Sequence, residues 1–344
     1  MVVVEAVDLF CGVGGLTSGL LSAGVRVVAG IDVDKACCFP FEANHAGARF
    51  IEQDVSSVTG DQLRSLWSPG VVRLLAGCAP CQPFSSYARG KGIGHAKWGM
   101  LGQFARLIKE AQPDLVTMEN VPGLQRQEPF QHFLETLKQC GFHVSYGVLN
   151  AAEYGVPQRR KRLVLLAAKH GPIALPKPTH PGKDHWVTVR KAIGDLPKLQ
   201  HGRASKEDVI HRAASLSPLN LKRIRASKPG GTWRDWPVEL VATCHTKESG
   251  KHSGGVYGRM MWDSPAPTMT TLCNGFGNGR FGHPEQNRAI SLREAAIFQS
   301  FPKGYIFTEP GQVVSVKTVA RLIGNAVPPK LAEAVGRQLL LDVG

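Results

Sequence analysis

Through its first 170 residues the chain alternates short apolar runs with amphipathic segments, and this alternation constrains the fold more than any other feature of its 344 residues. The apolar runs predict strands at VVVEAVDL, VRVVAGI, ARFI, VVRLLAG, DLVTME, HVSYGVL and RLVLLAA. Between them, helices are expected around Leu16 to Ala23, Lys35 to Asn44, Gly99 to Ala111 and Pro129 to Cys140. Strands and helices in alternation give an α/β fold, a parallel sheet with helices packed over it. From about Pro172 the pattern stops: GPIALPKPTHPGKDHW is rich in proline and glycine, and no steady period follows until about Gly282. This reads as a linker into a second, irregular domain. Helical periodicity returns at SLREAAIFQSF, where Ser291 and Glu294 have the spacing of a capping box, and a last apolar helix is expected from about Pro328 to Leu341.

Charge bears on the partner. The formal net charge is +14, with a sequence pI near 9.6. Residues 176–317 carry 21 Lys and Arg against 11 Asp and Glu, a net +10, whereas the remainder carries 20 against 16, a net +4. Basicity concentrated in the second half favours a polyanion such as nucleic acid over a small acidic ligand. The opening MVVVEAVDLF lacks a basic leader and no long apolar run occurs, so a cytoplasmic protein is expected. The 8 scattered cysteines do not form a disulfide framework; they are expected to be free thiols, and a special one would be catalytic or metal-binding.

DLFCGVGGLTSGL follows the first strand and opens a helix. Gly12, Gly14 and Gly15 let the backbone approach a ligand, and the helix amino end favours anionic groups. Asp32, at the end of the next strand, is placed to accept bonds from ribose hydroxyls. A nicotinamide dinucleotide fits this pattern, but the third glycine of its fingerprint would fall on Thr17. A nucleoside ligand without pyrophosphate, such as S-adenosylmethionine, fits as well. Asp54 either accepts a bond from an adenine amino group or merely caps its own loop.

GCAPCQPFS places Cys81 just beyond the fourth strand, at the sheet edge where ligands of such folds bind. Its spacing from Cys78 admits a redox pair, but no second C-x-x-C completes a zinc site, and Pro83 argues against a helix opening there. Arg89, Lys91, His95 and Lys97 are interleaved with glycines in the long loop that follows, suited to meeting phosphates. MENVPGL puts Glu119 and Asn120 at the end of the next strand, facing the same cleft, where a carboxyl could give or hold a proton. YGVPQRRKRLVLL sets Arg159, Arg160 and Arg162 before a strand, and period-two alternation would point Arg160 and Arg162 the same way.

Taken in order, DLFCGVGG, GCAPCQPFS, MENVPGL, YGVPQRRKR, SLREAAIFQSFP and GNAVPP resemble the DNA cytosine-5 methyltransferase family. The resemblance implies a Rossmann-like mixed sheet of the S-adenosylmethionine-dependent methyltransferase type. A catalytic domain is expected over residues 1–175 and 318–344, with a smaller target-recognition domain over 176–317. It implies Cys81 as the nucleophile on C6 of a flipped-out cytosine, beside Pro80, with Glu119 and Asn120 at the base and Arg160 and Arg162 holding base and loop. For the cofactor it implies Phe10 and Val33 near the adenine, Asp32 on the ribose, Asp54 and Val55 by the adenine amine, Gly12, Gly14, Gly15 and Leu16 along the methionine part, and Asn325 at the amino-acid end. Double-stranded DNA is the implied partner, touched by Ser85, Arg89 and Lys91 of the cysteine loop and by Arg234, Arg259 and Arg280 of the second domain. A monomer, no metal, and a companion restriction endonuclease are expected. The chain departs from the usual family pattern at Cys11, Asp32 and Val33. Other readings are an RNA (tRNA) methyltransferase on the same scaffold, a nicotinamide oxidoreductase, or a DNA-binding protein that has lost catalysis; the last two leave Cys81 and Glu119 unexplained.

Overall fold

Strand β1 (Val4–Leu9) is buried along its whole length, Glu5 and Asp8 included. A strand covered on both faces belongs in the middle of a sheet that has helices on either side. In the computed structural model, which describes residues 2–80, 99–248 and 254–342, β1 lies in a seven-stranded sheet. The other strands are β2 (Arg26–Asp32), β3 (Arg49–Glu52), β4 (Val72–Gly77), β5 (Leu115–Asn120), β6 (His143–Asn150) and β7 (Lys161–Ala168), in the order β3-β2-β1-β4-β5-β7-β6. All seven apolar runs form strands. The sheet is mixed, however: β3 through β5 are parallel, and β7 pairs antiparallel with both β5 and β6. Parallel neighbours need a long crossover, usually a helix. Residues 151–160, which join β6 to β7, contain only the short 3-10 turn Ala151–Tyr154, so β7 can only return beside β6 in the opposite sense.

The helices follow their apolar spacing. α1 (Gly15–Ala23) ends at Gly24, whose φ of 101° lets its N–H reach the carbonyls of Leu20 and Leu21. α2 (Cys38–Asn44) and the short α3 (Gly60–Leu66), which the sequence pattern did not single out, follow. α4 (Gly99–Ala111) buries Leu101, Phe104, Leu107, Ile108 and Ala111, and α5 (Glu128–Gln139) buries Phe130, Phe133, Leu134 and Leu137. These stripes meet edge to face at Phe104 and Phe133, 5.3 Å between ring centres. Each such side chain contributes about 1.5–3 kcal/mol on burial. A later helix, Pro329–Leu341, packs on α1 through small residues: a Cβ on Gly19 would stand 2.3 Å from the Pro329 carbonyl and 2.4 Å from the Ala332 methyl.

The chain divides into two compact units. One comprises Met1–Tyr154, Lys161–Thr179 and Ala326–Gly344; the other comprises Gly155–Arg160 and His180–Asn325. These bounds differ from the expected 175/176 and 317/318 divisions. Gly155–Arg160 joins the second unit because Gln158 and Ala266 form a bridge there, and residues up to Asn325 do so because Gly324 closes directly on Thr270. The second unit contains short helices and isolated bridges around a small apolar cluster of Ile224, Trp233, Trp236, Phe276 and Ala289. Buried polar side chains supply much of its order. The Ser291 capping box is formed as its spacing implied, opening the helix Leu292–Phe298. Its Glu294 also takes both guanidinium bonds from Arg288, each 2.7 Å, with neither side chain more than 1% exposed. Burial alone would raise the Glu294 carboxyl, but Arg288 outweighs it and holds the group at about 2. Among the described residues no helix is long and apolar enough to cross a membrane, and no disulfide forms.

Replacing Arg288 by Met leaves the buried Glu294 carboxylate without its guanidinium partner, beside the Ser291 N–H and the His283 ring. Urea unfolding of Arg288→Met should show a loss of about 3–5 kcal/mol.

Candidate active site

The strand order reverses beside β1: the chain runs outward to β2 and β3, then returns to set β4 on the other side of β1. In open α/β sheets a binding crevice lies at that reversal, beyond the carboxyl ends of the strands. Leu9 and Gly77 are in register there, and the Cys78 N–H donates to the Leu9 carbonyl at 3.3 Å. Two loops therefore leave the sheet side by side, one beginning at Phe10 and the other at Cys78.

The first loop is bent tightly. Phe10, Gly12 and Gly14 have φ of 56°, 53° and 81°. Glycine adopts this region freely; for Phe10 it is a strained conformation of the kind that collects at ligand sites. A Cβ on Gly14 would lie 2.1 Å from the His45 ring, whereas one on Gly12 would meet nothing within 4 Å, so the Gly12 backbone is open to a ligand. Gly14 caps α1 with no side-chain bond. Asp32 is tied into the loop: its carboxylate accepts the Gly12 N–H at 2.8 Å and the Asp34 N–H at 2.9 Å. Burial raises its carboxyl above the ordinary value. Each oxygen keeps a second lone pair, so Asp32 can hold the loop and still accept from a ligand hydroxyl. Val33 beside it is 66% exposed, Val55 and Leu16 are buried, and Asp54 is exposed. Asp54 caps its own loop by accepting the Ser56 N–H at 2.8 Å, which holds its carboxyl below the usual range.

Sequence reading passed over Asp8 because it stands inside an apolar run. It is fully buried; the Thr17 hydroxyl donates to Oδ2 at 2.7 Å, and Oδ1 has no hydrogen-bond donor among the described residues. Burial, against the Thr17 bond and together with the nearby Asp32 charge, pushes the carboxyl up to about 7. Thr17 stands where a dinucleotide fingerprint would have glycine, and its hydroxyl is the donor to Asp8.

At the second loop, Glu119 ends β5 with 6% exposure. The Cys78 thiol donates to its Oε2 at 3.2 Å. Arg162 Nε stands 2.9 Å from Oε1, an ion pair whose angle falls short of a hydrogen bond. Asn120 binds the same loop, its amide donating to the Ala79 carbonyl at 3.1 Å. Pro80 follows, exposed. Cys81, Ser85, Arg89 and Lys91 lie outside the described residues.

Arg160 does not share the environment of Arg162. It precedes β7 and belongs to the second unit, where its guanidinium donates to the carbonyls of Met269 and Gly324. The strand-alternation argument fails because Arg160 is not in the strand. Gln158, also fully buried, bonds Phe298, Gln299 and Met269, a signal hidden in the sequence by its polar neighbours. Asn325 is exposed at the end of the helix Val316–Asn325, again in the second unit. Of the expected DNA-contacting arginines, Arg234 is exposed and stacks over Trp233, 4.9 Å from the ring centre. Arg280 is half-buried and donates to the Gly231 carbonyl at 2.6 Å. Arg259 is a correction: it is 4% exposed, and its guanidinium is spent on the carbonyls of Ile224, Ser227, His283 and Gln286, so it braces the unit instead of reaching for DNA.

Residues 4–341 match the C-5 cytosine-specific DNA methylase family. The chain is 51% identical over 336 residues to the type II methylase M.HgiDII of Herpetosiphon aurantiacus, covering 97% of this chain and 94% of that one. It is 32% identical over 352 residues to the type II methyltransferase M.Eco47II of Escherichia coli, covering 99% and 80%. Two solved structures share the fold. A prophage-encoded E. coli protein has a TM-score of 0.76 at 22% identity, covering 98% of this chain and 99% of that one. The methyltransferase EhMeth of Entamoeba histolytica has a TM-score of 0.67 at 14% identity, with 100% of both chains covered. The chain belongs to the C-5 cytosine-specific DNA methylase family and is a DNA cytosine-5 methyltransferase.

Asp8 gives the first unit a distinctive pH response. A carboxyl raised from 3.8 to about 7 contributes stability below pH 4 that is lost as pH rises through 7. Urea unfolding of Asp8→Asn across this range should lack that loss, so that the variant gains on the parent by up to about 4 kcal/mol between pH 4 and 8.

Proposed function

We propose that this chain methylates C5 of one cytosine within a defined duplex DNA sequence, as the modification partner of a restriction endonuclease. The observation that carries the reading is the Glu119 carboxylate, fixed at the end of β5 by Cys78 and Arg162 where the cysteine loop leaves β4. The names of the type II relatives support a defined recognition sequence and a companion nuclease.

The family uses S-adenosylmethionine, which supplies an electrophilic methyl group on a sulfonium centre. The first loop fits such a ligand on its own features. Asp8 leaves a buried oxygen without a donor, the Gly12 backbone is open, and Val33 offers an exposed apolar face. Phe10 and Val33 would flank the adenine, with Asp54 and Val55 at its edge, and Asp32 would accept from the ribose. The backbone from Gly12 to Leu16 would line the methionine part.

Cytosine C5 is a weak nucleophile, so the ring must first be activated. In the proposed reaction the Cys81 thiolate forms a bond to C6, and the C5–C6 double bond gives its electrons to the ring. Glu119 gives a proton to N3 as negative charge accumulates there, and its other oxygen accepts from the exocyclic amine. Arg162, paired with Glu119, supplies positive charge beside the carboxyl. C5 would take the methyl group as the methyl–sulfur bond of the donor breaks, leaving S-adenosyl-L-homocysteine; a base would then remove the C5 proton and the C6–S bond would break, returning the thiolate. Extruding the cytosine from the duplex costs about a few kcal/mol. Phosphate contacts by the basic second unit, with Arg234 exposed on it, supply sequence-independent affinity against that cost.

Incubation with methyl-labelled cofactor should label duplex DNA and leave tRNA unlabelled; the reverse outcome would identify an RNA methyltransferase. Bisulfite sequencing of host DNA after expression should reveal 5-methylcytosine in one short sequence context. Cys81→Ser should abolish transfer, and Glu119→Gln should lower kcat by about 100-fold or more. A duplex with 5-fluorocytosine at the target should trap a covalent complex, because fluorine cannot leave as a proton does, and Cys81→Ser should form none.

A further inference from the structure

Cys78 presents more than bulk. Its sulfur lies 3.2 Å from Oε2 of Glu119, in line for a thiol-to-carboxylate bond, and its own N–H is fixed on Leu9 of β1. The thiol is thus anchored by the sheet and aimed at one oxygen, while the other oxygen faces Arg162 at 2.9 Å. The two contacts come from opposite flanks of β5, since β4 pairs with one side of it and β7 with the other. Arg162 supplies charge, but its angle to Oε1 misses hydrogen-bond geometry. Cys78 therefore makes the directed bond that sets the rotation of the carboxylate.

We propose that Cys78 is a positioning residue for the methyl-transfer reaction, holding the Glu119 carboxylate in the orientation that meets the target cytosine. A thiol suits the task because it is a weak donor and sulfur is also a weak acceptor. It can orient an ionised carboxylate and stay in contact when the carboxyl carries a proton. It also yields readily when the base arrives with stronger donors. A carboxylate with both oxygens firmly bound would resist that exchange.

The inference rests on the role given to Glu119 above, and the test separates the two. Steady-state kinetics would be measured for Cys78→Ala, Cys78→Ser, Glu119→Gln and the Cys78→Ala/Glu119→Gln double variant, with thermal unfolding and cofactor binding alongside. Cys78→Ala should lower kcat by about three- to tenfold, the range of an ordinary net hydrogen bond, as suits a weak thiol donor. KM for DNA and affinity for cofactor should stay within about twofold, as expected for an interaction that acts on the reacting state. Cys78→Ser keeps a donor and should restore most of kcat. In the Glu119→Gln background the Cys78→Ala change should cost little more, since the partner is already lost. Should Cys78→Ala fail to fold, Cys78→Val, which fills the space and lacks the donor, takes its place. Wild-type kcat in Cys78→Ala, equal impairment of the Ala and Ser variants, or an undiminished effect in the Glu119→Gln background would each overturn the proposal. Wild-type activity of Glu119→Gln would instead overturn the reading of Glu119 itself.

Discussion

Parallel pairing of β1 with β4 is the constraint on which the candidate site depends. With Leu9 held opposite Gly77, the loop that is suited to a nucleoside and the loop that carries the cysteine motif must emerge as neighbours. Neither loop has to find the other by its own contacts. Gly77 shows how close the fit is: a Cβ there would stand 3.0 Å from both the Leu9 carbonyl and the Phe104 ring. The fully buried strand between helical layers provides rigidity, and rigidity lets a strained residue such as Phe10 persist at the rim.

The two units obtain their order by different means. In the first, apolar stripes from α4 and α5 cover a hydrophobic sheet, and its buried charges stay near the strand ends, as at Asp8 and Glu119. The second has a small apolar cluster and relies on side chains that tie loops together through carbonyls: Gln158, Arg160, Arg259 and the Arg288–Glu294 pair. Such groups specify one arrangement because each is costly to leave unsatisfied. The basic character of the second half is therefore only partly available to a polyanion. Arg259 and Arg288 are consumed internally, while Arg234 remains at the surface.

Local pattern made much of this legible. All seven strands, the helices α1, α2, α4, α5 and Pro329–Leu341 and the Ser291 capping box were readable because each depends on residues a few positions apart; the helix Val316–Asn325 was not. The strand reversal at β7 was not, since it depends on what residues 151–160 fail to form. Nor was Asp8, whose chemistry comes from burial instead of from neighbours in sequence. Arginines proved hardest to assign: composition says that a guanidinium is present but not which carbonyls surround it, and so Arg259 read as a surface contact. Nor does the C-x-x-C spacing disclose what Cys78 touches, because its partner Glu119 is distant in sequence and meets it only through strand pairing.

The glycine-mediated contact between α1 and the helix Pro329–Leu341 also bears on how the protein is made. Synthesis delivers α1 before the second unit and its packing partner after it, so the helix that follows the glycine loop waits through translation of the second unit for the surface that covers it. Contacts so distant in sequence slow folding and leave apolar surface exposed meanwhile. The end of the sheet beside the glycine loop is thus encoded before the second unit and completed after it, and a nascent chain displays these strands before the surface that covers their helix exists.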